Sequence, residues 1–166
     1  MVDINNAQLE EVLDRIPDQH RGPGGVAGVV KDGMIIAKRA WGYSNLSNHQ
    51  AMTENTRLPI CSISKQFTCG VLLDKIEQAD RLDGRVKEFL PEFKGKLPTI
   101  KELCHNQSGL RDYWALSILQ GATAEQTFER SDALPLLARM KTGQFEPGTR
   151  YSYCNGNFRI LSELIE

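Results

Sequence analysis

Ser62 and Lys65 form a Ser-x-x-Lys pattern that can give a nucleophile its own base. A serine hydroxyl attacks a carbonyl carbon only when a neighbour removes its proton, and a lysine amine serves where burial or a helix dipole lowers its pKa. Residues i and i+3 share one face of a helix, so the Lys65 amine would reach Ser62. Alone the pattern is weak: nine serines and nine lysines give about half of one such pair by chance, and Ser62 could simply cap a helix beside a solvated lysine.

The residues around Ser62 favour the catalytic interpretation. Pro59 disfavours a helix before its own position, so a helix is expected to begin close to Ser62. It should run through Glu77 and be buried on most sides, because few charges interrupt it. Its apolar positions at helical spacing are Ile63, Phe67, Val71, Leu72 and Ile76. Ser62 would therefore lie at the mouth of a buried helix.

Tyr153 and Asn155 supply a second element, Tyr-x-Asn. A phenol can relay a proton to a leaving amine, and an amide can hold a substrate carbonyl. The alternative is an aromatic packing residue beside a loop asparagine. The same spacing occurs at Tyr43 and Asn45, but only the later copy follows a turn and opens a helix. Lys141–Gly143, a Lys-Thr-Gly sequence, precedes Tyr153 and is expected to end a helix, so we assign it no catalytic role.

The composition excludes several other classes of function. Twenty basic and 21 acidic residues give a net charge of -1 without a basic run, which argues against nucleic acid as a partner. No export signal and no run of eighteen apolar residues is visible, so we expect a soluble cytoplasmic protein that does not enter a membrane. The cysteines should be reduced, buried and apolar in character; they are Cys61, Cys69, Cys104 and Cys154. With neither a Cys-x-x-Cys pair nor paired histidines, we expect no metal and no cofactor.

Local patterns predict helices around a small antiparallel sheet. An amphipathic helix is expected over residues 7–16, with its apolar stripe at Leu9, Val12, Leu13 and Ile16. Val26–Val30 and Met34–Ala37 should pair as a hairpin, because glycine accepts the positive φ that a tight turn requires. Residues 81–110 indicate loops and short helices.

Two more helices are expected towards the end of the sequence. Ser131 should cap a helix through Met140, and Gly143 is in a position to end it. A last, amphipathic helix should follow, with apolar positions at Phe158, Leu161, Leu164 and Ile165. Because it reaches Glu166 without a cap, and because one hairpin is too little for a stable sheet, we expect residues 1–166 to be part of a larger domain.

The chain resembles the penicillin-recognising D-aminopeptidases of bacteria, which are serine hydrolases related to β-lactamases. The likeness extends over most of the sequence and is most specific where Ser-Gly-Leu is followed by Arg-Asp-Tyr-Trp. Its segments are Gly22–Val26, Ile60–Leu73, Asn106–Trp114 and Phe145–Leu161.

The resemblance implies a fold, a reaction and an assembly. The fold would be α/β or α+β, of the β-lactamase/transpeptidase type, with a helical subdomain beside an antiparallel sheet and present only in part. The enzyme would be a cytoplasmic homodimer that needs no cofactor and removes N-terminal D-residues from small peptides and amides. Ser62 would attack the carbonyl, Lys65 and Tyr153 would exchange protons with it and with the departing amine, and Asn155 would orient the substrate. The backbone N–H of Ser62 would contribute to the oxyanion hole.

The resemblance also implies that part of the catalytic cleft lies outside this sequence. A strand with a His-x-Gly motif and two later β-barrel domains are expected beyond Glu166, which would make residues 1–166 the N-terminal part of a β-lactamase-like catalytic domain. Two other interpretations share some of these residues: a β-lactamase-like esterase or D,D-carboxypeptidase, and a truncated remnant without catalytic activity.

Overall fold

The turn at Asp32 and Gly33 folds the start of the chain into a hairpin. In the computed structural model both residues have positive φ angles, +51° and +78°, as a two-residue turn between antiparallel strands requires. Strand β1 (Gly24–Lys31) pairs with strand β2 (Met34–Asn45). The predicted hairpin is confirmed, and its strands are longer than expected.

The structure describes residues 6–75, 79–123, 126 and 128–166. They divide into two compact units, Met1–Pro59 and Ile60–Glu166. In the first unit, a short strand β3 (Gln50–Ala51) adds to β2 and gives the antiparallel order β1-β2-β3. Sequence reasoning missed β3, because two residues are too few to show an alternating pattern.

Helix α1 (Asn6–Gln19) packs on the strand β2 of the same unit. Arg39 of β2 donates hydrogen bonds to Glu10 at 2.6 Å and to Asp14 at 2.7 Å. The predicted helix is confirmed, but its apolar stripe is only partly used: Leu13 is buried, whereas Val12 is exposed.

Within its described residues, the regular elements of the second unit are all helices, joined by loops. Short helices between residues 81 and 110 are confirmed, whereas the helix at Tyr113–Leu119 was not expected. The elements are a 3-10 turn (Cys61–Ile63), α2 (Ser64–Lys75), a 3-10 segment (Ala79–Arg85), α3 (Val86–Phe89), α4 (Ile100–Cys104), α5 (Tyr113–Leu119), α6 (Arg130–Ala138) and α7 (Asn155–Ile165).

The core of this unit forms around α7, the helix predicted at the end of the sequence. Leu161 and Leu164 are buried as expected. They pack with apolar side chains from helices α2, α3, α4 and α6 and from the loops between them. The remaining members of this core are Leu72, Val86, Leu90, Phe93, Ile100, Leu103, Leu110, Leu137, Met140, Cys154 and Ile160.

Helix α2 is much more exposed than its composition suggested. It packs on α7, and Leu72 on that side is 1% exposed, whereas Phe67 is 61% exposed. Ile63 and Val71, one turn to either side of Phe67, are exposed as well. The prediction of a helix buried on most sides is therefore wrong for this chain, because periodicity marks apolar positions but does not show which of them find a partner. The predicted end of this helix, Ile76 and Glu77, lies outside the described residues.

The start of α6 also differs from the expectation. Ser131 is not the cap but the second residue of the helix. The Asp132 carboxylate accepts a hydrogen bond from the backbone N–H of Glu129 at 2.8 Å, and this contact sets the first turn upstream of Ser131. The helix ends at Ala138, well before Gly143, which lies in a loop.

Candidate active site

Ser62 lies in the 3-10 turn that leads into α2, and its side chain is exposed. The residue before it, Cys61, has a φ of +46°, a left-handed conformation that costs a non-glycine residue on the order of 1 kcal/mol. The Ser64 hydroxyl donates a hydrogen bond to the Cys61 carbonyl at 2.6 Å, which helps to hold this turn. The helix thus begins close to Ser62, as predicted.

Lys65 lies one helical turn beyond Ser62 and is partly buried. Its amine donates to the Ser62 hydroxyl at 3.1 Å and to the Asn155 side-chain oxygen at 2.9 Å. The same amine lies 4.9 Å from the centre of the Tyr153 ring and 5.4 Å from that of Phe158. Aromatic faces attract a cation at such distances.

Tyr153 completes the cluster. Its hydroxyl is 2.6 Å from the Ser62 hydroxyl, and either oxygen can be the donor. Burial raises the pKa of the Tyr153 phenol, but hydrogen bonds with Lys65 and Ser62 outweigh it, so the net pKa lies below the usual 10.0. The structure therefore brings together all four residues that the sequence singled out, the fourth being Asn155.

Asn106 holds the segment that carries Tyr153 and Asn155. Its backbone carbonyl accepts from the N–H of Ser152 at 2.9 Å, and its side-chain oxygen accepts from the N–H of Cys154 at 3.1 Å. Asn106 itself has a φ of +55°, which asparagine adopts more readily than most residues. Tyr153 is thus fixed by hydrogen bonds on both of its neighbours.

A buried polar network ties this segment to the core. Asn157 in the first turn of α7 is fully buried, and its side-chain oxygen accepts from the Ser108 hydroxyl at 2.6 Å. Its amide nitrogen donates to the Leu103 carbonyl and to the Asn106 side chain, both at 3.2 Å. The sequence around Asn106 indicated only a turn. The part that Asn106 plays in this network was missed because its partners Cys154 and Asn157 lie 48 and 51 positions further along the chain.

Asp112 is a further polar neighbour of the cluster that the sequence did not single out as a site residue. One of its carboxylate oxygens accepts from the Asn155 side-chain nitrogen at 2.8 Å, and the other accepts from the backbone N–H of Trp114 at 3.2 Å. The second contact caps α5. An aspartate before a short apolar run is the sequence signal of such a cap, but nothing local indicates the contact with Asn155.

The other sequence patterns have contacts of their own. Tyr43 is in the first unit, where its ring meets that of His49 edge-on at 5.6 Å. Lys141–Gly143 is a loop rather than a strand, and the Lys141 amine is 4.0 Å from Glu92. The backbone carbonyl of Thr142 in this loop accepts a hydrogen bond from Arg111. These contacts agree with assigning the Lys-Thr-Gly sequence no catalytic role.

The cysteines differ from the expectation of four buried side chains. All four are free thiols, but Cys61 is exposed and Cys69 and Cys104 are only partly buried. Only Cys154 is buried, and burial raises the pKa of its thiol to about 11. Cys61 is exposed because it belongs to the tight turn before Ser62.

Within the described residues, no group of three or more histidine, cysteine, aspartate or glutamate side chains is arranged to hold a metal ion. In the same residues, no helix combines the length and the hydrophobicity needed to cross a bilayer.

Comparison with known proteins identifies the family of this chain. Residues 9–166 match the family model described as Beta-lactamase. A D-aminopeptidase of Cereibacter sphaeroides is 66% identical over 158 residues, which cover 95% of this chain and 31% of that protein. A D-aminopeptidase of Brucella anthropi is 51% identical over 166 residues, 100% of this chain and 32% of that protein. The chain thus spans about a third of the length of these relatives.

A solved structure agrees at the level of the fold. The octameric penicillin-binding protein homologue from Pyrococcus abyssi superposes with a TM-score of 0.73 at 22% sequence identity, over 98% of this chain and 39% of that one. The predicted fold class, helices together with a small antiparallel sheet and a β-lactamase/transpeptidase-like fold, is confirmed. The chain belongs to the Beta-lactamase family.

Proposed function

We propose that this chain carries the acylation centre of a serine hydrolase that removes N-terminal D-residues from small peptides and amides. One observation carries the proposal: the Ser62 hydroxyl lies within hydrogen-bonding distance of both the Lys65 amine and the Tyr153 phenol. The choice of substrate is supported by the two relatives named D-aminopeptidase, at 66% and 51% identity.

In the proposed reaction, the first proton moves from Ser62 to Tyr153. The Ser62 oxygen forms a bond to the substrate carbonyl carbon while its proton passes over 2.6 Å to the Tyr153 oxygen. This step needs the phenolate, and the lowered pKa of Tyr153 favours that form. The positive charge of Lys65, close to both oxygens, stabilises the negative charge as it moves.

The second half of acylation returns that proton to the leaving group. When the carbon–nitrogen bond breaks, the Tyr153 phenol protonates the departing amine and an ester remains on Ser62. Water then hydrolyses the ester by the reverse proton path, which releases the D-amino acid. Free backbone N–H groups at the start of α2, including that of Ser62, would stabilise the negatively charged carbonyl oxygen.

Asn155 is proposed to orient the substrate. Its side-chain oxygen faces Lys65, and one N–H of its amide is used by Asp112. A primary amide has two N–H donors, so the second one can hold a substrate carbonyl. Asn155 is partly buried rather than fully exposed, which strengthens such a bond by partly excluding water.

The chain is proposed to provide only part of the cleft. The resemblance described above would place a substrate-binding strand and a second oxyanion donor beyond Glu166. We therefore expect the 166 residues alone to react at Ser62 but to show little or no turnover of a D-alanyl anilide. Hydrolysis of that anilide by the 166-residue chain, lost on Ser62→Ala, would contradict this part of the proposal.

Acylation can be tested by mass spectrometry, in this chain and in the longest protein that contains it. A fluorophosphonate probe should add to a single peptide containing Ser62, and Ser62→Ala should abolish the adduct. Ser131→Ala is the matched control, because Ser131 is an exposed serine on α6. A mass adduct that persists in Ser62→Ala would overturn the assignment of the nucleophile.

Substrate class is tested in the longer protein. D-Alanine p-nitroanilide should be hydrolysed faster than its L-isomer and faster than a chromogenic cephalosporin is opened. Faster turnover of the cephalosporin would favour the β-lactamase-like alternative, and no reaction of Ser62 with any of the three compounds or with the probe would favour a non-catalytic remnant.

Assembly and location are proposed from the same resemblance. We expect the longer protein to be a homodimer in the cytoplasm. Light scattering coupled to size-exclusion chromatography measures the mass of the assembly, and cell fractionation measures its location. A monomeric mass at micromolar concentration would contradict the proposed dimer.

A further inference from the structure

The Asn155 side chain lies between two charged groups of opposite sign. Its oxygen accepts from the Lys65 amine at 2.9 Å, and its nitrogen donates to the Asp112 carboxylate at 2.8 Å. Each end of the amide therefore has a partner that fits only that end. A carboxylate can only accept and an ammonium can only donate, so turning the amide over would lose both hydrogen bonds.

Lys65 depends on this orientation. Its amine donates hydrogen bonds to the Ser62 hydroxyl and to the Asn155 side-chain oxygen. With the amide reversed, a donor would face the ammonium group, and the lysine would lose the anchor that directs it to the Ser62 hydroxyl. Whatever fixes the amide therefore also fixes the geometry between Lys65 and Ser62.

We propose that Asp112 is a positioning residue that sets the direction of the Asn155 amide and, through it, holds the Lys65 amine on Ser62. The inference rests on the proposed function and extends it to a residue on a different element. Asp112 does not touch Ser62 in the structure. It is fixed in turn by the cap that it forms on α5 through the N–H of Trp114.

A reciprocal exchange of side chains tests this role. In Asp112→Asn, the new side chain keeps the size of aspartate and can still cap α5 with its oxygen, but it then presents N–H donors to Asn155 and favours the reversed amide. In Asn155→Asp, two carboxylates face each other. In the double variant Asp112→Asn/Asn155→Asp, the new amide at position 112 can donate to the new carboxylate at position 155, and that carboxylate can accept from Lys65. The total charge is that of the wild type.

The readout is the second-order rate constant for acylation of Ser62 by the fluorophosphonate probe, measured in the longest protein that contains the chain. Each single variant should be slower by roughly 10- to 100-fold, the effect of losing one charge-assisted hydrogen bond. The double variant should be faster than Asn155→Asp, because the two facing carboxylates are gone, but slower than the wild type, because aspartate has no N–H to hold the substrate carbonyl. Asp112→Ser, which keeps a capping oxygen but is too short to reach Asn155, should be slow although its melting temperature stays near that of the wild type.

A second measurement does not depend on any reaction. In a 15N–1H spectrum, an Asn155 side-chain proton bound to the carboxylate should lie downfield in the wild type and move upfield in Asp112→Asn and Asp112→Ser. If the wild-type protein is acylated but Asp112→Asn reacts at the same rate, or if the double variant is no faster than Asn155→Asp, the positioning role is wrong. If the wild type shows the downfield proton but Ser62 is never acylated, the proposed function fails, and this role fails with it.

Discussion

Replacing Asn106 by alanine should unfold the second unit more easily and also displace Tyr153. The change removes the acceptor for two buried N–H groups, that of the Cys154 backbone and one of the two on the Asn157 side chain, whose other N–H still donates to the Leu103 carbonyl. A buried donor left without a partner costs about 1–3 kcal/mol, so the free energy of unfolding should fall by about 2–6 kcal/mol. Alanine also adopts a φ of +55° less readily than asparagine, which adds on the order of 1 kcal/mol.

Comparison with glycine separates these two effects. Asn106→Gly loses the same hydrogen bonds, but glycine adopts a positive φ freely, so it should be more stable than Asn106→Ala by on the order of 1 kcal/mol. Asn48→Ala is the control: Asn48 is an exposed asparagine in the first unit, and the variant loses one hydrogen bond, from the backbone N–H of Gln50 at 3.1 Å, which water can replace, so stability should fall by no more than about 1 kcal/mol.

Urea unfolding followed by tryptophan fluorescence measures these differences. The chain has two tryptophans, and a Trp41→Phe background leaves Trp114, which belongs to the same unit as Asn106. Both Asn106 variants should also acylate more slowly at Ser62, since Tyr153 loses a neighbouring anchor. An Asn106→Gly protein as stable as its parent would refute the view that this side chain holds the segment before α7.

Two further predictions concern groups whose pKa is shifted. Iodoacetamide at neutral pH should label the exposed Cys61 well before Cys104 and Cys154, because burial raises the pKa of these two thiols to about 12 and about 11. Peptide mass spectrometry measures the order of labelling, and equal rates at all three cysteines would contradict the prediction. Burial raises the pKa of Glu102, but hydrogen bonds from Thr99 and from a nearby lysine together outweigh burial, so the net pKa lies below the usual 4.5. The ionised carboxylate of Glu102 therefore stabilises the fold above about pH 4.5. This contribution is lost as the pH falls through the lower pKa of the folded state. In urea unfolding, the wild type should be more stable than Glu102→Gln at pH 7 but not in strong acid.

Local chemistry explains which parts of the molecule were predictable. The hairpin followed from Asp32 and Gly33, because a two-residue turn needs positive φ angles at both positions. Ser62 and Lys65 were found because a spacing of three is meaningful on a helix. Tyr153 and Asn155 were found from a short motif, and a family resemblance supported the expectation that the two pairs meet.

Contacts between distant residues explain what could not be predicted. The exposed side of α2 was taken for a buried one, since periodicity does not reveal which apolar positions are covered. The start of α6 was misplaced because Ser131 is a plausible capping residue, whereas the helix is capped at Glu129, whose backbone N–H donates to the Asp132 carboxylate. Asp112 was missed as a neighbour of the site because its partner Asn155 lies 43 positions along the chain.

The sequence separation within the site has a consequence for synthesis. The contact between the Ser62 and Tyr153 hydroxyls joins residues 91 positions apart, and the contact between Lys65 and Asn155 joins residues 90 apart. A ribosome therefore completes Ser62 and Lys65 long before their partners leave the exit tunnel. Throughout that interval Ser62 has no phenol beside it, so under the proposed mechanism a nascent polypeptide would carry an ordinary alcohol and would become reactive only after Tyr153 has folded against Ser62.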